Sequence, residues 1–198
     1  RVGNARAALP LLERGVGLAE RHGTVDLQLN LLNQVGQAYS QVQGLQKAVE
    51  YFRRMRRLAE SSGDTRMEAS ALSNMSGDFQ QLGMLDSAVF ALERALTISQ
   101  RVGDKTREAP ALNSLGLLYY RAGEIDKALD AYNRALRLVR ELGNKSGEMS
   151  ILGNLAGAYA YLSNVDQALV HRRRALQIAR ERGDVNAEAT YLNNMAMS

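Results

Sequence analysis

The chain has 198 residues, with 25 basic and 21 acidic side chains, a formal charge of +4, 45% apolar and 6% aromatic residues. That composition is neither disordered nor collagen-like. No apolar run approaches the roughly 18 residues of a membrane span, and so mild a charge is far from the dense basic patch of a nucleic-acid binder. Cysteine is absent and histidine occurs twice, which excludes disulfides, thiolate metal sites and cysteine nucleophiles and leaves little for a His-rich metal site.

One unit is repeated with no gap. Leu32, Leu72, Leu112, Leu152 and Leu192 stand 40 residues apart, and Gly63, Gly103, Gly143 and Gly183 keep the same step. Ala8, Ala48, Ala88, Ala128 and Ala168 form a further column. Others are Tyr39, Phe79, Tyr119 and Tyr159, the Glu68–Glu188 column and the Arg14–Arg174 column. A fixed period of this size is the signature of a repeat array, in which each unit buries its apolar face against its neighbours.

In chain order, the pattern begins inside a second helix, about Ala5 to Arg21, with Pro10 expected near its first turn, where a missing N–H costs little. Full units then span 24–63, 64–103, 104–143 and 144–183. Each reads as two helices of about 16 residues joined by short turns. Ile125, Ala128, Leu129, Tyr132, Ala135, Leu136 and Val139 trace one helical stripe, and Leu112, Leu115, Gly116 and Tyr119 another. Ala122-Gly123-Glu124 breaks the two apart, and Asp126 caps or charges the start of the next helix. At Gly63-Asp64, Gly103-Asp104, Gly143-Asn144 and Gly183-Asp184 a left-handed glycine ends one helix and Asp or Asn caps the following one. Pro110, about six residues past Asp104, is expected to delay or bend its helix start. A last first helix, about Val185 to Met197, lies in the partial unit 184–198. There is no strand candidate.

Leu115-Gly116-Leu117-Leu118-Tyr119, followed by Ala128, Tyr132 and Ala135, resembles the tetratricopeptide repeat; Gln34 to Tyr39 and Leu155 to Tyr159 match more loosely. The period exceeds that family's usual one and is similar to the longer form in kinesin light chains, Leu-Gly-Asn-repeat polarity scaffolds and bacterial sensor and regulator arrays. The resemblance implies an all-α, right-handed superhelical solenoid whose inner wall is built from the first helix of each unit. Its groove positions are then Asn30, Asn33, Gln37, Ser40 and Gln41, followed by Ser70, Ser73, Asn74, Gly77, Gln80 and Gln81. Asn113, Leu117, Tyr120 and Arg121 form a third set and Ser150, Asn154, Gly157, Ala160 and Tyr161 a fourth, with Asn193, Asn194 and Met197 last. Amide side chains pair with a peptide backbone as a strand neighbour would, and Gly77 and Gly157 admit a close backbone. The alternative is a solvated face with the asparagines bonded to neighbouring helices. Arg121 alone is basic among these positions, which argues against a clamp for a C-terminal carboxylate.

The remaining features have bland readings. The Arg and Glu columns suit surface ion pairs worth up to about 1 kcal/mol each. Arg53, Arg54, Arg56, Arg57 and Arg172–Arg174 suit a solvated outer face. Arg172 takes the place of Leu12, Phe52, Leu92 and Tyr132, so it must reach water or a carboxylate; His171 reads as a surface residue. No nucleophile–base set, phosphate loop or paired carboxylates stand out, so neither enzyme activity nor a cofactor is expected. With no initial Met and no signal pattern, the chain reads as a segment of a larger cytoplasmic protein. The expected function is a protein- or peptide-binding scaffold, without nucleic-acid or membrane partners. The alternative is a sensor controlling an attached NTPase, protease or transcription regulator. Leu9, Leu12 and Val16 at one end and Leu192, Met195 and Met197 at the other are expected to be exposed, and head-to-tail self-association to follow.

Overall fold

The computed structural model describes residues 2–196, and among them every regular element is helical. The helices are α1 Val2–His22, α2 Val25–Gln41, α3 Leu45–Ser62, α4 Thr65–Gln81, α5 Leu85–Arg101, α6 Lys105–Arg121, α7 Ile125–Glu141, α8 Lys145–Tyr161, α9 Val165–Glu181 and α10 Val185–Ala196. They form two compact units, Arg1–Gly103 and Asp104–Ser198. In the first, α1 to α5 pack each on the next, and α2 also touches α4; in the second, α6 to α10 do the same, with α6 touching α8.

The turns follow from their residues. Gly63, Gly103, Gly143 and Gly183 all have positive φ, between 63° and 76°. The next residue in each case caps a first helix. The Asp64 carboxylate accepts the Met67 N–H at 3.0 Å, and the Asn144 side chain accepts that of Gly147 at 2.9 Å. Asp126 charges the first turn of α7 without capping it, because the cap position is Glu124.

Apolar stripes then meet between helices. Phe52, Leu29 and Val35 are fully covered in the first unit, and Tyr132, Leu112 and Leu155 in the second; each large side chain removed from water contributes about 2–3 kcal/mol at most. Gly36 and Gly116 are sites of helix crossing. A Cβ at Gly36 would lie 2.5 Å from the Phe52 ring, and one at Gly116 2.6 Å from the Tyr132 ring.

Three expectations fail here. Pro10 lies in the interior of α1, since that helix begins at Val2. Pro110 does not delay α6, which starts at Lys105 in register with α4 and α8; the Asp104 side chain, accepting the Arg107 N–H at 3.2 Å, fixes the start before the proline is reached. Leu9 and Val16 are buried and Leu12 half-buried, because they face α2; Leu11, at 74%, and Leu18 are exposed on α1 instead. Leu192 on α10 is exposed as expected, Met195 is half-buried, and Met197 lies outside the described residues.

Candidate peptide-binding groove

Within the first unit, α2 and α4 lie side by side and present the polar residues that separate their buried stripes. Gln37, Ser40 and Gln41 from α2 and Ser73, Asn74, Gly77 and Gln81 from α4 line an open cavity of about 320 Å³, with Phe52 and Asp78 at its base. Asn74 Nδ2 donates to Asn33 Oδ1 at 3.1 Å, and Gln37 Nε2 donates to the same oxygen at 3.4 Å. The second unit repeats the link, Asn154 Nδ2 donating to Asn113 Oδ1 at 2.9 Å. The asparagines therefore do bond neighbouring first helices, as the alternative reading had it. Each amide has two donors and two acceptor lone pairs, so one such bond does not exhaust it.

Other candidates fall around these links. Tyr120 and Tyr161 meet edge-on, ring centroids 5.9 Å apart, with Tyr161 exposed. Leu117 is half-buried and Arg121 exposed on α6. Asn113 and Ser150 also border a cavity of about 410 Å³ over Pro110, Val139 and Ile151. A Cβ at Gly77 or Gly157 would meet nothing within 4 Å, so both positions face open space. Asn193 and Asn194 are exposed on α10, and each has an interaction partner.

Asp78 was not foreseen. It is 3% exposed, and its Oδ2 accepts the Ser40 hydroxyl at 3.0 Å. Burial raises its pKa, and the Ser40 bond only partly opposes this. The signal was present, since Asp78 stands in the register of Ala38, Leu118 and Ala158 in the other full repeats.

The charge columns need correcting too. Glu68 and Glu148 are buried, so their ion pairs are not simple surface contacts. Glu148 is held by Arg140 at 2.9 Å, Lys145 at 3.1 Å and Arg174 at 3.7 Å. Burial alone would raise its pKa, but hydrogen bonds from Arg140 and Lys145 outweigh that and lower it. The tight link is Arg140–Glu148, repeated as Arg180–Glu188 at 2.7 Å, whereas Arg94 only approaches Glu68, at 3.9 Å. Arg54 pairs with Glu20. Nor is His171 a surface residue. It is half-buried and stacked on Tyr159 at 5.4 Å; burial, then the nearby Arg140 charge, lowers its pKa. Arg172 is half-buried and engaged.

Among the described residues, ten consecutive helices with these turns and this 40-residue register define a tetratricopeptide-type array. The tetratricopeptide repeat family model matches residues 67–141, so that stretch carries the family's repeat, and the helices on either side of it keep the same fold and register. No curated protein matches it. Among solved structures, BtubC (BKLC) from P. vanneervenii is 23% identical with a TM-score of 0.83, the match covering 91% of this chain and 75% of that one. The STAND protein PH0952 of Pyrococcus horikoshii, which has a tetratricopeptide repeat sensor, is 20% identical with a TM-score of 0.81, over 94% of this chain and 28% of that one. The Rap conjugation gene regulator of plasmid pLS20, in complex with the Phr* peptide, is 17% identical with a TM-score of 0.70, over 96% and 52%. At these identities the likeness is one of fold. No helix among the described residues is long and apolar enough to cross a membrane.

Proposed function

We propose that the chain is a peptide-binding scaffold module that holds a partner segment against its first helices. One observation carries this reading: the open α2–α4 cavity is lined by neutral amides and hydroxyls beside Gly77, where a backbone can approach without meeting a side chain. Such a surface suits main-chain recognition of an extended or helical segment. The peptide complex of the Rap regulator supports it by analogy of fold. The reading includes a cytoplasmic setting, a non-catalytic role and no nucleic-acid or membrane partner.

The test is a peptide array probed with the chain, followed by Asn74→Ala and Asn154→Ala against a selected peptide. Each loses a hydrogen-bonding amide, so affinity should weaken by about 1 kcal/mol or more while folding changes little. An array that selects nothing, or affinity unchanged in both variants, would end the proposal. The likeness to a STAND protein with a repeat sensor favours a second reading, in which peptide capture controls an attached effector. Head-to-tail self-association is also proposed, on the exposed Leu11, Leu18, Val185 and Leu192; sedimentation velocity that shows a monomer at every concentration would remove it.

A further inference from the structure

The repeat supplies its own comparison for a second surface. Within each compact unit, where two second helices flank a first helix, Tyr39, Phe79 or Tyr159 of the aromatic column lies between them. Between α1 and α3, Tyr39 is covered by Tyr51, stacked at 5.7 Å, and Val16 is buried beside them. Between α7 and α9, Tyr159 is covered by His171, and Leu136 is buried there. Between α3 and α5 both coverings are replaced. Ala91 stands in the register of Tyr51 and His171, and Arg56 in that of Val16 and Leu136.

The result is an open cleft of about 490 Å³ over Leu72, Met75 and Phe79. On α4 these residues lie about 180° around the helix from Asn74 and Gly77, so the cleft is independent of the groove. Its rim is strongly basic. Arg53, Arg56, Arg57 and Arg94 line it against a single carboxylate, Asp86. Arg56 is paired with Glu60 at 2.9 Å and Arg94 approaches Glu68 at 3.9 Å, while the Arg53 guanidinium lies over the Phe79 ring, 6.0 Å from its centroid, and Arg57 is exposed. At i, i+3 and i+4, Arg53, Arg56 and Arg57 share one helix face. Phe90, 63% exposed, completes the rim.

We infer that this cleft is a docking site for a partner protein segment bearing an aromatic side chain between carboxylates. The incoming ring takes the stacking position over Phe79 that Tyr51 and His171 fill elsewhere, with Phe90 against its edge. The flanking carboxylates meet Arg53, Arg57 and Arg94, where guanidinium forks give paired hydrogen bonds. Aromatic and arginine side chains together form the typical centre of a binding hot spot.

The probe is a fluorescein-labelled peptide with one phenylalanine flanked by two glutamates on each side, titrated with the full chain at low salt by anisotropy. Saturable binding is expected, lost when the peptide's phenylalanine is replaced by alanine or its glutamates by lysines. Ala91→His and Arg56→Leu install residues the array itself uses in the sister clefts, so both should fold with equal or higher Tm and bind at least about tenfold more weakly. Arg57→Glu, at an exposed position, should weaken binding comparably and supplies the test should either filled variant fail to fold. Asn74→Ala in the groove should leave this binding intact, which separates this inference from the groove reading. No saturable binding, binding by the filled variants or by Arg57→Glu equal to that of the parent, or loss on Asn74→Ala in place of Ala91→His would overturn it.

Discussion

Single residues break the repeat in informative ways. The turn column of Gly83 and Gly123 has φ of 74° and 79°, and in the other two units Gln43 and Ser163 hold φ of 62° and 57°. A side chain in that left-handed region costs about 1 kcal/mol, slightly more than the chain entropy that glycine adds to the unfolded state. Gln43→Gly and Ser163→Gly should therefore each stabilise by about 0.5 kcal/mol in urea unfolding. Two of the buried acids, Asp78 and Glu148, have pKa shifts of opposite sign. Asp78 has a raised folded pKa, so the native state holds its proton more tightly and Asp78 favours folding less as pH rises through the carboxylate range. Asp78→Asn should raise Tm at pH 7, by an amount that shrinks as the pH falls. Glu148 has a lowered folded pKa, so its contribution is full above the ordinary carboxylate range and disappears as pH drops through the folded value. Glu148→Gln should cost about 2 kcal/mol at pH 7, as expected for charged hydrogen bonds at a buried acceptor, and much less at low pH. Tm curves of both variants across pH check the pair.

At the level of the helix, the glycines divide by what faces them. At Gly116 a Cβ would press on Tyr132, which is itself fully buried and unable to retreat, so Gly116→Ala should destabilise by about 1–3 kcal/mol through overpacking. Gly77 sits mid-helix with open space before it, and Gly77→Ala should stabilise α4 by about 0.5–1 kcal/mol. Denaturant midpoints moving in opposite directions would confirm the division; a shift of the same sign in both would refute it. If the groove holds a peptide backbone as proposed, Gly77→Ala should also weaken the ligand even as it strengthens the fold.

For the whole chain, the modest formal charge of +4 limits what can bind through charge alone. Several of the arginines are paired with carboxylates, as at Glu148, Glu188 and Glu20. Duplex DNA should bind weakly and be released by physiological salt, because few phosphates can be neutralised at once; retention in filter binding at 150 mM salt, with submicromolar affinity, would contradict this.

The sequence determined the helices, their order, their caps and the 40-residue register, because these depend on local chemistry: a left-handed glycine, a side chain accepting the backbone N–H of the residue three positions on, and an apolar stripe of helical period. It also placed the aromatic and alanine columns that form the core. Tertiary structure decided the rest. Asn33 with Asn74, Asn113 with Asn154, and Glu148 with Arg174 are far apart in the chain, so only helix packing sets whether their atoms meet. Asp78 and Glu148 look like ordinary helix-surface acids in sequence, and burial, a property of what a neighbouring helix covers, changed their character. The α3–α5 cleft needed both kinds of information: the columns show Arg56 where Val16, Leu96, Leu136 and Leu176 stand, and a small Ala91 where Tyr51 and His171 stand, but only the packing of the helices makes the missing bulk an opening instead of a collapsed core.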